Sequence, residues 1–248
     1  MANQMDPRIG AAPSVGVGAD YDAGLRSYML SIYNYMASGV LLTGIIALLV
    51  SSNPALLSMF FAQKANGAFG PTILGWIAML SPFAMVLVMG LGANRLSETA
   101  LKAIFWAYAA LMGVSLSTIF LAYTGASIAQ TFFVTAASFG ALSLYGYSTK
   151  RDLTAFGKFL FMGLIGIVIA SIVNVFVGSS TGELVISILG VLIFAGFTAY
   201  DTQKLKDMYW QVQGSQFAGK SAVLGALTLY LDFINLFLFL LRFMGDRR

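Results

Sequence analysis

Long apolar runs with few or no charges dominate the chain, and each is long enough to cross a bilayer as a helix, which takes about 20 residues. Seven such runs occupy residues 27–51, 72–93, 100–123, 126–148, 158–178, 183–203 and 221–243. The pattern predicts an all-α integral membrane protein with seven transmembrane helices. Residues 1–24 hold Pro7, Pro13, four glycines and three aspartates without an apolar segment, and are expected to be a flexible tail. No signal-peptide pattern precedes the first run. Connections are short except for roughly 20 residues after the first span and a similar stretch after the sixth, so residues 25–248 are expected to form a single domain.

Composition narrows the chemistry. Of 248 residues, 58% are hydrophobic and 10% charged, about half the charged share of an ordinary soluble domain. Cysteine and histidine are both absent. Disulfides, thiol nucleophiles, imidazole bases and His- or Cys-ligated metal sites are thereby excluded. The net charge of +4 comes from scattered basic residues, which points to membrane topology and not to a nucleic-acid partner. With seven spans, one side holds Arg8, Arg26, Arg95, Lys102, Lys150, Arg151, Lys158, Lys204, Lys206 and Lys220, and the other only Lys64, Arg242, Arg247 and Arg248. Ten against four predicts a cytoplasmic N-terminus and an external C-terminus. The terminal Arg-Arg pair argues mildly against this; were it cytoplasmic, one span would have to be re-entrant.

Carboxylates at membrane depth are costly and mark functional sites. Two stand out. Asp201 lies in GFTAYDTQ at the cytoplasmic end of the sixth span, and Asp232 in LYLDFINLF within the seventh. The two helices are consecutive and antiparallel, so both acids fall in the same half of the membrane. Along the seventh span Ser221, Gly225, Thr228, Asp232, Asn235 and Arg242 recur at helical spacing, and Glu183, Ser187, Gly190, Thr198 and Asp201 do so along the sixth. Two polar stripes predict a shared interior seam, with Thr198, Thr228 and Asn235 as candidate lining residues of a pathway. Polar stripes also serve as packing glue, and a lone aspartate near a helix end also fits a cap.

Two carboxyls within hydrogen-bonding range cannot easily both ionise, and their titration belongs to the pair. Singly protonated they bridge; doubly ionised they repel. Separated, with nearby carbonyls, they are oxygen ligands of the kind that a hard cation such as Ca²⁺ takes, so both are candidate calcium contacts. Arg95, in GLGANRLSE at the end of the second span, is the candidate cation to pair with Asp201, although the same arginine fits a snorkelling anchor. Two intramembrane aspartates also suggest an aspartyl protease, but Leu229, Tyr230 and Leu231 stand where the second motif of such enzymes requires GxGD. A retinal protein needs a lysine in the seventh span, and residues 221–243 contain none. GLGAN lacks the strand context of a nucleotide loop. No enzymatic activity and no cofactor are expected.

LTLYLDFINLFLFLLRF in the last span, TAYDTQ closing the sixth and GYSTKRDLTAFGKFL between the fourth and fifth resemble the Bax inhibitor-1 family over about residues 25–243. The resemblance implies a last helix surrounded by the other six and residence in the bacterial inner membrane. It also implies a pH-sensitive calcium leak in which Asp201 and Asp232 form the proton-sensing pair and Arg95 regulates closure. Calcium, protons and the lipid bilayer are then the partners. Other relatives resemble modulators of a membrane-anchored AAA protease or suppressors of cell death, so a regulator without transport activity is the alternative. The 17-residue stretch between Thr202 and Lys220 is read as an insertion-like loop.

Overall fold

Each apolar run becomes a helix long enough to span a membrane: Ala23–Ser52, Ile73–Gly92, Glu98–Ala122, Gly125–Ser148, Thr154–Val177, Ser180–Val212 and Ala218–Met244. The chain is an all-α integral membrane protein. The computed structural model describes residues 15–63 and 69–248. In chain order its elements are α1 (Val15–Ser52), α2 (Pro54–Phe60), β1 (Phe61–Gln63), β2 (Phe69–Pro71), α3 (Ile73–Gly92), α4 (Glu98–Leu116), α5 (Ile119–Ala122), α6 (Gly125–Ser148), α7 (Thr154–Val177), α8 (Ser180–Val212) and α9 (Ala218–Met244). The end of the bundle where α1 enters is called the near end, and the opposite end the far end.

Of the two long connections expected, the first keeps its length and the second does not. The stretch after the first span holds α2 and a small antiparallel hairpin, with Phe61 opposite Pro71. After the sixth span there is no long loop: α8 runs on to Val212, and residues 213–217 alone separate it from α9. Leu205 and Val212 are buried beyond Asp201 while Lys204 and Asp207 face outward, so an amphipathic extension replaces the all-apolar run. At the N-terminal end, α1 begins at Val15, so residues 15–24 are helical and not tail. Residues 1–14, with Arg8, and residues 64–68, with Lys64, lie outside the described residues.

The helices form two triplets on either side of α9. α1, α3 and α4 pack together with α4 in the middle, and α6, α7 and α8 do so around α8. α9 packs on α1, α4, α6 and α8, while α3 and α7 are outer helices. In α9 72% of the most apolar stretch is buried, against 11–33% in the other spans, so the last helix is the central one. Its interior is apolar and aromatic: Tyr230 meets Phe105 and Tyr108 edge to face, and its hydroxyl pairs with Thr43, which donates to the Ala109 carbonyl of α4.

α3 shows how a membrane helix keeps a proline. Pro82 has no N–H to return to the Ala78 carbonyl, and an unsatisfied carbonyl in hydrocarbon is costly. The Ser115 hydroxyl of α4 reaches that oxygen at 3.2 Å, sharing its proton with the Leu111 carbonyl at 3.1 Å, and Ser81 joins it at 3.4 Å. Ser115→Ala is expected to lower stability by about 0.6–1.7 kcal/mol, the range for hydrogen bonds between membrane helices. Reversible unfolding in mixed micelles measures it, and an unchanged transition would show that Ser81 suffices.

The chain end is tied down at the far end. The Asp246 amide donates to the Ser127 hydroxyl, the Thr124 amide to the Asp246 carbonyl, and the Arg248 amide to the Ala122 carbonyl. Arg247 forms an ion pair with Glu183 at the start of α8 and lies over the Tyr123 ring. The terminal basic residues are therefore on the side opposite the entry of α1, and seven full spans need no re-entrant segment.

Candidate functional site

The segment Asp201–Lys204 shows what one helical turn can organise. Successive residues point about 100° apart, so four consecutive side chains address four directions. Asp201 faces α9. Thr202 faces α6, where its hydroxyl pairs with Ser143 at 2.9 Å, and Ser143 in turn pairs with Tyr33 of α1. Gln203 clamps the α6–α7 connection: its carbonyl oxygen accepts from the Leu153 amide and its amide donates to the Arg151 carbonyl, both at 2.8 Å. In the same connection the Thr154 hydroxyl and amide hold the exposed Asp152 carboxyl below the usual carboxylate range. Asp201 is thus carried by a turn fixed on two other sides.

Opposite it on α9 stands Asp232, close enough for the two buried carboxyls to act directly on each other. Asp201 is 8% exposed and Asp232 5%. Asp201 lies about 17 Å along its helix from the near end of α8, and Asp232 about 21 Å from the near end of α9 and about 18 Å from its far end, so the pair sits about midway along α9. A hydrogen bond between two carboxyls requires a proton on one of them. Asp232 also keeps one buried oxygen, Oδ2, without a partner. A buried acceptor left open in a protein interior is costly and is a place for a proton, a water or a cation.

A cavity of about 180 Å³ between α8 and α9 reaches Asp201 from the near end. Its wall includes Lys204, Met208, Ser221 and Thr228. Ser221 is held by the Tyr28 hydroxyl at 2.7 Å and itself contacts the Met208 sulfur. Of the three residues read as pathway lining, Thr228 borders this cavity. Thr198 is fully buried and donates to the Phe194 carbonyl, and Asn235 donates to the Leu231 carbonyl. Their polar groups are spent on their own helix backbone, a common use of such residues in apolar helices.

Arg95 is not beside the pair. It is exposed in the turn after α3, and α3 rests on α4, away from α8. Among the described residues it forms no ion pair. The cation that acts on Asp201 is Lys204, one turn further along α8 and on the same cavity wall. The i, i+3 spacing of Asp201 and Lys204 is the sequence signal that could have found it. No group of three or more metal-ligating carboxylates is found among the described residues. Two carboxyls supply at most four oxygens, fewer than the six to eight that calcium takes.

A seven-helix membrane protein with a buried carboxyl pair between its last two spans is the class that fold and site define. The family model described as inhibitor of apoptosis-promoting Bax1 matches residues 25–248. The chain belongs to the Bax inhibitor-1 family. It is 46% identical over 228 residues to inner membrane protein YbhL of Escherichia coli (strain K12), covering 91% of this chain and 94% of that protein. It is also 46% identical to RP147 of Rickettsia prowazekii, covering 92% and 93%. A Caulobacter vibrioides protein is 45% identical, covering 92% and 91%.

Proposed function

We propose that the protein is a pH-responsive cation leak, passing calcium, in which the proton shared by Asp201 and Asp232 latches α8 to α9. The observation that carries the reading is the close approach of two buried carboxyls on neighbouring spans, with a cavity leading to one of them. With the proton bound, the carboxyls hold the two helices together. Without it, two adjacent buried anions repel and offer their oxygens to a passing cation. Calcium enters as cargo and is not a resident ion. The basic residues at the near end support a cytoplasmic location for that end and for the cavity.

The test is flux of calcium into dye-loaded vesicles carrying the purified protein, measured across about pH 6 to 8 beside Asp201→Asn and Asp232→Asn. pH-dependent flux in the parent and a flat profile in both variants is the expected result. Full pH dependence in both variants would overturn the latch. Absence of flux in every sample, with an altered lifetime of membrane-protease substrates in cells lacking the protein, would favour the regulator instead.

A further inference from the structure

The outer wall of the bundle is not closed all round. α1 and α6 both rest on α9 but make only sparse contact with each other. Two crevices lie in the seam between them. The near one, about 340 Å³, runs along Met29, Leu30 and Tyr33 of α1 and Phe139, Gly140, Ser143, Leu144 and Tyr147 of α6. The far one, about 320 Å³, continues the seam to Leu48 and Gly125. From Met29 to Leu48 the seam measures about 28 Å, close to the thickness of the hydrocarbon core.

The near crevice has a graded wall. Leu30 (49% exposed) and Leu144 (67%) form its lips, while Met29 and Phe139 are buried at its floor. An added Cβ on Gly140 would meet nothing within 4 Å, so this glycine leaves a space that no protein atom fills. At the near rim the apolar surface ends in positive charge. Arg26 is exposed one turn before Leu30, on the stripe that continues through Met29, Leu30 and Tyr33. The Lys206 ammonium lies 5.5 Å from the centre of the Tyr147 ring and donates to the Tyr147 carbonyl, with two further N–H groups to offer.

We infer that the near crevice is a binding site for an anionic phospholipid of the near leaflet, with an acyl chain along Gly140 and the phosphate between Arg26 and Lys206. The apolar trough opens sideways to lipid and carries cations only where it meets the headgroup layer, the polarity of such a molecule. Its inner wall contains the Tyr33 and Ser143 hydroxyls that hold Thr202, so the bound chain lies against the network that positions the turn of Asp201. The site stands whether or not the carboxyl pair gates an ion.

Native mass spectrometry of the full chain, purified in mild detergent and offered equimolar phosphatidylglycerol and phosphatidylcholine, reads the site directly. Phosphatidylglycerol is expected to be retained over phosphatidylcholine. Arg26→Gln and Lys206→Gln are each expected to reduce that preference about fivefold. Gly140→Leu is expected to abolish retention of both lipids without lowering the unfolding temperature. Equal retention of the two lipids by the parent, or undiminished retention by Gly140→Leu, would overturn the assignment. So would a second copy or another membrane protein that cross-links along this seam and is released by Gly140→Leu. The charge variants sit at the exposed rim and keep the test decisive if Gly140→Leu does not fold.

Discussion

Asp232→Asn is expected to hold the vesicle flux at the value the parent shows at low pH, and to keep it there across the whole range. The sign follows from donor and acceptor counting. On the proposed latch, the bridge between Asp232 and Asp201 in the parent exists while one proton is present and is lost as pH rises and removes it. Two unit charges about 4 Å apart at an effective dielectric constant near 20 repel by about 4 kcal/mol, which shifts an equilibrium by roughly a thousandfold. An asparagine amide donates to the Asp201 carboxylate at every pH, so the bridge persists. A variant with the high-pH flux of the parent at all pH values would show that repulsion does not open the pathway. Asp201→Asn should flatten the profile in the same way, and in it the influence of Lys204 on the pair is lost.

Gly146→Leu is expected to remove the folded protein from the membrane. A Cβ on Gly146 of α6 would fall inside contact distance of the Ala199 carbonyl oxygen, and the Cα and carbonyl carbon of Ala199 are close behind. Backbone atoms within a helix cannot rotate away, so α6 and α8 must separate. Overpacking costs about 1–3 kcal/mol where side chains can adjust, and a backbone collision belongs at the upper end or beyond. Ser143 and Thr202 bridge the same helix pair, and their hydrogen bond would break as well. Loss of the monodisperse peak in detergent, or proteolysis of α6 in membranes, measures it. Gly140→Leu, one and a half turns away but facing open space, is the control: it should fold.

The contrast between those two glycines illustrates what could be read from the chain alone. Spans were legible because twenty apolar residues in a row have few alternatives. The acids were legible because hydrocarbon penalises charge, so Asp201 and Asp232 stand out by position. Their meeting followed from antiparallel neighbours with matching polar stripes. What hydropathy does not carry is which helices touch. Arg95 sits at the end of an apolar run, but the structure puts it exposed in the turn after α3, an outer helix resting on α4, where it makes no ion pair among the described residues. The residues after Thr202 read as a loop because their charges break the apolar run, although Leu205, Met208 and Val212 keep the helical period. Gly140 and Gly146 are identical in sequence terms; one faces a crevice and the other a carbonyl.

The fastening of the last four residues bears on how the molecule can move. α9 is joined to α8 by five residues at the near end, while beyond its far end the chain is hydrogen-bonded to the α5–α6 connection and salt-bridged to the first turn of α8. A rod pinned at both ends does not slide along its axis. α8 is tied to α9 at both ends too, by the Glu183 ion pair and by the five-residue turn, so the two helices could part at Asp201 and Asp232 only by a sideways bowing of α8 between these fastenings.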